Sequence, residues 1–98
     1  MIRVILPFHL MRLSGIQGEV VIAVGEPVTQ RSLIDAIEQL YPMLRGTIRD
    51  HRTQERRPYL RYFACGEDLS HQGPDAKVPN PVVQGLEPFR IVGAMSGG

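Results

Sequence analysis

The last three residues, Ser96-Gly97-Gly98, follow an apolar segment, residues 89–95, that reads as a β-strand. A free diglycine end can offer its own backbone carboxylate as a reagent, with no Cβ to crowd the approach. At glycine usage near 7% a Gly-Gly pair falls at a given place in about 0.5% of chains. The competing reading is a frayed terminus, the usual condition of residues that nothing ties down. No other residues offer a constellation that could carry catalysis. Cys65 is the single cysteine and sits in an apolar run with no cationic cluster adjacent in sequence, so it reads as a small buried hydrophobe. His9, His51 and His71 lack metal-ligand spacing and have no second cysteine to join them. Glu67 and Asp68 read as turn formers rather than a catalytic pair. No glycine-rich phosphate loop precedes a helix, so the chain is not expected to bind ATP by itself.

Ninety-eight residues with 43% hydrophobic content suit one domain with its own core. A formal net charge of +1 gives no global field for nucleic acid or an anionic membrane. The lone cysteine fits a reducing compartment. Residues 4–11 are mostly apolar, but Pro7 and His9 interrupt them, Arg12 follows and no small-residue cleavage site appears. No stretch approaches a membrane span, and the expectation is a soluble, cytoplasmic, monomeric domain without nucleic-acid or membrane partners.

The elements that would carry the diglycine end follow from the pattern. Ile2-Arg3-Val4-Ile5-Leu6 and the run 19–24 read as two antiparallel strands, joined by a turn carrying Ser14-Gly15 and Gly18. Leu33, Ile34, Ile37, Leu40, Tyr41 and Leu44 recur at helical spacing, which predicts a helix over 29–44. Thr29 is its N-cap, Val28 and Leu33 form a hydrophobic staple, and Pro42 ends or kinks it. Arg49, Arg52, Arg56 and Arg57, set against Asp50 and Glu55, form either a solvated loop or a docking patch for an acidic partner. A third strand spans 59–65, with Gly66-Glu67-Asp68 as a turn. Residues 71–88 are an irregular excursion with one short edge strand around Val82-Val83. Phe89-Arg90-Ile91-Val92 is the last strand.

A hairpin followed by an amphipathic helix and further strands allows the first and last strands to pair in parallel at the centre of a mixed sheet, with the helix over one face. This is the α+β β-grasp arrangement of ubiquitin, expected over residues 1–93, with 94–98 as a flexible tail.

At this point the chain resembles the MoaD/ThiS family of sulfur carriers over nearly its whole length. The resemblance rests on the opening strand, the helix with its Tyr41-Pro42 end, the Cys65-Gly66-Glu67-Asp68-Leu69 turn and the closing Ile91-Val92-Gly93-Ala94-Met95-Ser96-Gly97-Gly98. The chain departs from the family pattern at Gly85-Leu86-Glu87-Pro88, at Gly93 and in the insertion over 50–58. The resemblance implies a protein that is not itself an enzyme. An E1-like adenylating enzyme would use ATP to activate the Gly98 carboxylate as an acyl-adenylate. A persulfide donor would then displace AMP and leave a thiocarboxylate. A large synthase subunit or another acceptor enzyme would take the sulfur, most simply for the molybdopterin of the molybdenum cofactor. Sulfur supply for cysteine, thiamine or another metabolite, and isopeptide formation through Gly98 as a protein modifier, stay open. Gly97, Ser96, Met95 and Ala94 would line the tail's entry into the partner.

Overall fold

The computed structural model describes residues 1–93, so the tail residues Ala94, Met95, Ser96, Gly97 and Gly98 lie outside the described residues. The elements run β1 (Ile2–Ile5), α1 (Phe8–Ser14), β2 (Val20–Ile22), α2 (Gln30–Leu40), β3 (Leu60–Ala64), β4 (Glu67–Asp68), α3 (Asn80–Val83) and β5 (Phe89–Gly93), with a 3-10 turn at Pro42–Leu44. The five strands form one sheet in the order β2-β1-β5-β3-β4. β1 and β5 are parallel neighbours, with Val4 opposite Phe89, and every other pairing is antiparallel. The chain has the β-grasp, ubiquitin-like fold.

Alternation along the strands decides which face is covered. Ile2 and Val4 on β1, Leu60, Tyr62 and Ala64 on β3, and Phe89 and Ile91 on β5 are buried. They form one core cluster with Leu33, Ile34 and Ile37 of α2. The ring centroids of Tyr62 and Phe89 lie 5.4 Å apart in a tilted pair across β3 and β5.

The α2 start follows from local chemistry. The Thr29 hydroxyl accepts from the Ser32 N–H at 3.0 Å, and Ser32 Oγ accepts from the Thr29 N–H at 2.9 Å, closing a capping box. Val28 and Leu33 are both buried, as the staple requires. The helix ends at Leu40 rather than 44: Pro42 opens the 3-10 turn, Leu44 still reaches the core, and Leu40 faces solvent. Replacing Thr29 with Ala is expected to lower stability by about 1 kcal/mol, read from the midpoint of a urea unfolding curve with its slope unchanged.

Four expectations need correction. The connection between β1 and β2 is not a simple turn but α1, which runs from Pro7 at its N-cap to Gly15, a left-handed C-cap with φ of 78°. The short strand expected at Val82-Val83 is the helical turn α3, started by prolines at 79 and 81 whose fixed φ suits a helix N-terminus. Cys65 is not buried: it is exposed at the tip of the β3–β4 hairpin. Cys65 and Gly66 take consecutive positive φ values of 54° and 77°, as a two-residue type I′ turn requires, and this turn lifts the thiol off the sheet. Glu67 and Asp68, expected within that turn, are instead the short strand β4.

Candidate functional site

The expected reactive residue, Gly98, and its neighbours Gly97, Ser96, Met95 and Ala94 lie outside the described residues. The described residues fix the place from which they depart. β5 is a central strand, held on one side by β1 and on the other by β3, so its end is anchored by two ladders. Its last residue, Gly93, pairs with Leu60. A Cβ placed on Gly93 would lie 3.6 Å from His9 Cε1 and 3.7 Å from Pro7 Cβ, ordinary contact distances, so the start of α1 borders this end of the strand. Phe8 on α1 and Tyr59 just before β3 are both exposed large apolar side chains on the segments that flank it.

The face of the sheet turned away from the core carries the other half of each alternation. Arg3 stands opposite Val21, Ile5 opposite Arg90, Arg90 opposite Phe63, and Val92 opposite Arg61. Val21 and Val92 are exposed, and Ile5 and Phe63 are half-buried. The result is an apolar strip interleaved with guanidinium groups. Arg3 donates through Nε to both Glu19 carboxylate oxygens at 3.0 and 2.9 Å, and this hydrogen bonding holds the Glu19 carboxyl below its ordinary range. Arg61 pairs with Asp68 at 3.2 Å. Asp68 is held low chiefly by hydrogen bonds from Ser70. Arg90 has no ion pair among the described residues. A shallow hollow beside it is lined by Phe63, Cys65, Glu87, Pro88 and Val92.

The arginine-rich loop is neither a free docking patch nor merely solvated. Arg49 is buried against Glu38 and Asp35 of α2. Arg56 donates to the backbone carbonyls of Arg57 and Leu60, and Arg57 donates to that of Gly46 at 2.9 Å. Only Arg52 is fully exposed. The loop closes on itself as a small hairpin, with Arg49 bridged to Arg56 and the Asp50 carboxylate accepting from the Arg52 and Thr53 N–H groups.

The three histidines are not brought together: His9 lies on α1, His51 at the loop tip and His71 beyond β4. Among the described residues no group of three or more His, Cys, Asp or Glu side chains could hold a metal ion. No helix among them is long and apolar enough to cross a membrane.

With this geometry in hand, solved structures provide the comparison. SAMP1 from Haloferax volcanii superposes with a TM-score of 0.73 at 18% identity, covering 98% of this chain and 97% of that one. A chain of the BexX/CysO complex from Amycolatopsis orientalis gives 0.75 at 18% identity, with 100% of both chains covered. The H. volcanii small archaeal modifier protein 1 gives 0.71 at 14%, covering 93% of each. The shared feature is the fold. No protein-family model matches the sequence, and no curated protein matches it. The likeness of fold extends over nearly the whole of each chain.

Sequence reasoning missed Phe8, His9, Tyr59, Arg90 and Val92 as neighbours of the departing segment or of the open face. The β5 alternation of buried Phe89 and Ile91 with exposed Arg90 and Val92 is the signal that could have named the last two.

Proposed function

We propose that the chain is a sulfur carrier whose Gly98 carboxylate, as the terminal group, is activated by a partner and converted to a thiocarboxylate. The observation that carries this reading is a β-grasp domain whose central last strand ends at Gly93, after which the sequence continues Ala94-Met95-Ser96-Gly97-Gly98. A carboxylate is a poor electrophile. Adenylation by ATP on the partner, with loss of pyrophosphate, makes AMP the leaving group. The terminal sulfur of a persulfide attacks the carbonyl carbon and AMP departs, and a thiol then cleaves the acyl disulfide to release the thiocarboxylate. The chain contributes the carboxylate and a slim approach to it, since Gly97 and Gly98 carry no Cβ that would meet a channel wall. Molybdopterin synthesis is the proposed destination of the sulfur, with supply for cysteine, thiamine or another metabolite as the alternative. The adenylating enzyme, the persulfide donor and a synthase subunit are the proposed partners. The BexX/CysO structure is named a complex, which supports a β-grasp chain of this size working through a protein partner.

A second reading has one observation in its favour: a similar H. volcanii structure is named a modifier. In that reading Gly98 forms an isopeptide with a lysine of another protein. Incubation with an adenylating enzyme, ATP and a persulfide donor, followed by intact-mass measurement, separates the two. A mass gain equal to exchange of one oxygen for sulfur supports the carrier. Unchanged mass together with Gly98-dependent high-mass conjugates on denaturing gels would replace it with the modifier.

The activating partner is proposed to dock on the open sheet face, where apolar side chains alternate with Arg3, Arg90 and Arg61. Combining Arg90→Glu with Val92→Asp is expected to lower the partner's kcat/KM for this carrier about tenfold or more, as loss of a central interface contact does. Unfolding free energy should stay within about 0.5 kcal/mol because both side chains are exposed. Unchanged turnover would move the dock elsewhere.

A further inference from the structure

On the opposite side of the molecule, between the start of α2, the arginine loop and the segment after β4, lies a cavity of about 290 Å³. That volume is at the lower end of the range for small-molecule sites. Gln30, Arg31, Arg49, Arg56 and Tyr62 are among the polar residues of its wall.

The charges in this wall are not equivalent. Arg49 is neutralised by Glu38 and Asp35. Arg31 pairs with Asp75, whose side chain is largely exposed, and donates to the Gln54 side chain. An exposed pair of this kind contributes little net attraction in water. Arg56 is different. Its guanidinium is held by the carbonyls of Arg57, Leu60 and Ser70, and it has no carboxylate partner among the described residues. One acid, Glu55, also reaches the wall, and it is exposed. The positive end of the α2 dipole adds to the same sign, because Gln30 and Arg31 are the first two helical residues. The backbone N–H groups there are already taken: that of Gln30 by Ala76 O, that of Arg31 by Pro74 O and that of Ser32 by the Thr29 hydroxyl. A ligand would therefore be held by side chains.

Tyr62 supplies the second, independent observation. The residue is 96% buried by its 4% exposure, yet its hydroxyl has no hydrogen-bond partner among the described residues. It is not a sealed orphan either, since among the described residues no fully buried side-chain polar atom lacks a partner. Tyr62 is one of the residues that line the cavity. Burial pushes its pKa up to about 12, so at neutral pH the phenol keeps its proton and can donate. A buried polar group normally finds a partner, and here the cavity is where one would sit.

We propose that this cavity binds a small molecule through a tetrahedral oxyanion, a phosphate or sulfate group, which takes hydrogen bonds from Arg56, Arg31 and the Tyr62 hydroxyl. Donors reaching in from three separate segments suit a tetrahedral anion better than a flat carboxylate, which a single Arg fork satisfies. The site is independent of the sulfur-carrier reading and needs nothing from residues 94–98.

The test is a titration of the full chain with inorganic phosphate, followed by amide NMR shifts. Saturable shifts confined to the segments of Arg31, Gln54, Tyr62 and Ser70 are expected. Tyr62→Phe should weaken the affinity about tenfold, the typical loss for a hydrogen bond to a charged group. Its unfolding midpoint should not fall, because no internal hydrogen bond is lost. Arg31→Gln, at a half-exposed side chain, should weaken binding several-fold and still fold. Sulfate should compete with phosphate, and acetate should not. Shifts that never saturate, shifts as large at Arg3, Arg61 and Arg90 as in the cavity, acetate binding as tight as phosphate, or a Tyr62→Phe affinity equal to that of the unaltered chain would each overturn the proposal.

Discussion

A chain lacking Gly97 and Gly98 is expected to gain no sulfur at all when incubated with the adenylating partner, ATP and a persulfide donor, while unfolding at the same urea concentration as the intact chain. The two halves of this expectation have separate causes. Loss of activity follows from the proposed chemistry, because the truncated chain ends in Ser96, whose carboxylate stands two residues short and whose hydroxymethyl group occupies space that glycine leaves open. A misplacement of about 1 Å can already cost a hundredfold in rate, and two residues of extended chain span several times that. Retention of stability is expected from a core whose buried apolar residues, among the described residues, run from Ile2 to Ile91. Intact mass and a urea curve on the same preparation read both halves. Sulfur gained by the truncated chain would end the proposal that Gly98 is the reactive residue. Equal loss of sulfur uptake and of stability would show that residues 97 and 98 serve the fold instead.

The parts of this fold legible in the sequence are those where two local signals coincide. Thr29 as a cap, Val28 with Leu33 as a staple and the stripe through Ile34 and Ile37 agree with one another, and α2 stands where they place it. The central parallel pair of β1 and β5 follows from the order of elements and from the need to cover one sheet face. Short helices escape such reading for a physical reason. α1 buries only Leu10 fully and α3 only Val82, so neither presents a repeat from which a period can be taken. Their signs are the boundary residues alone: Pro7 and Gly15 for one, the prolines at 79 and 81 for the other. The exposure of Cys65 follows from turn geometry rather than from its residue type. Ala64-Cys65-Gly66-Glu67 has the length of a two-residue hairpin loop, and its glycine marks the second left-handed position. The candidate site was legible as a segment, but the open face beside it depends on register across β2, β1, β5 and β3, which a single sequence does not print.

The arginine loop shows the same limit with the largest energetic consequence. Charge and loop composition pointed outward, yet Arg49 is only 5% exposed. Its Nε and Nη2 donate to the two carboxylate oxygens of Glu38 at 3.2 and 2.9 Å, a bidentate fork, and Nη2 also reaches Asp35. Asp35 and Glu38 are three residues apart on α2, hence neighbours on one face. Burial by itself would lower the Arg49 pKa, and the hydrogen bonds to Glu38 and Asp35 outweigh it, leaving the group raised. Asp35 has solvent to fall back on, whereas Glu38 is only 9% exposed. Arg49→Ala therefore strands a buried carboxylate, and the expected cost is about 3–5 kcal/mol. That is a large share of the stability of a domain this size. Arg49→Lys should recover only part of it, since an ammonium cannot span both oxygens. The decisive variant is the double change Arg49→Met with Glu38→Met. If desolvation of the stranded Glu38 is the main cost, the double variant will be more stable than Arg49→Ala and close to the unaltered chain, because a buried pair exchanged for apolar side chains is often near neutral. A double variant no more stable than Arg49→Ala would instead show that the stranded Glu38 carboxylate is not the main cost. Urea unfolding of the three variants, with slopes compared, distinguishes these outcomes.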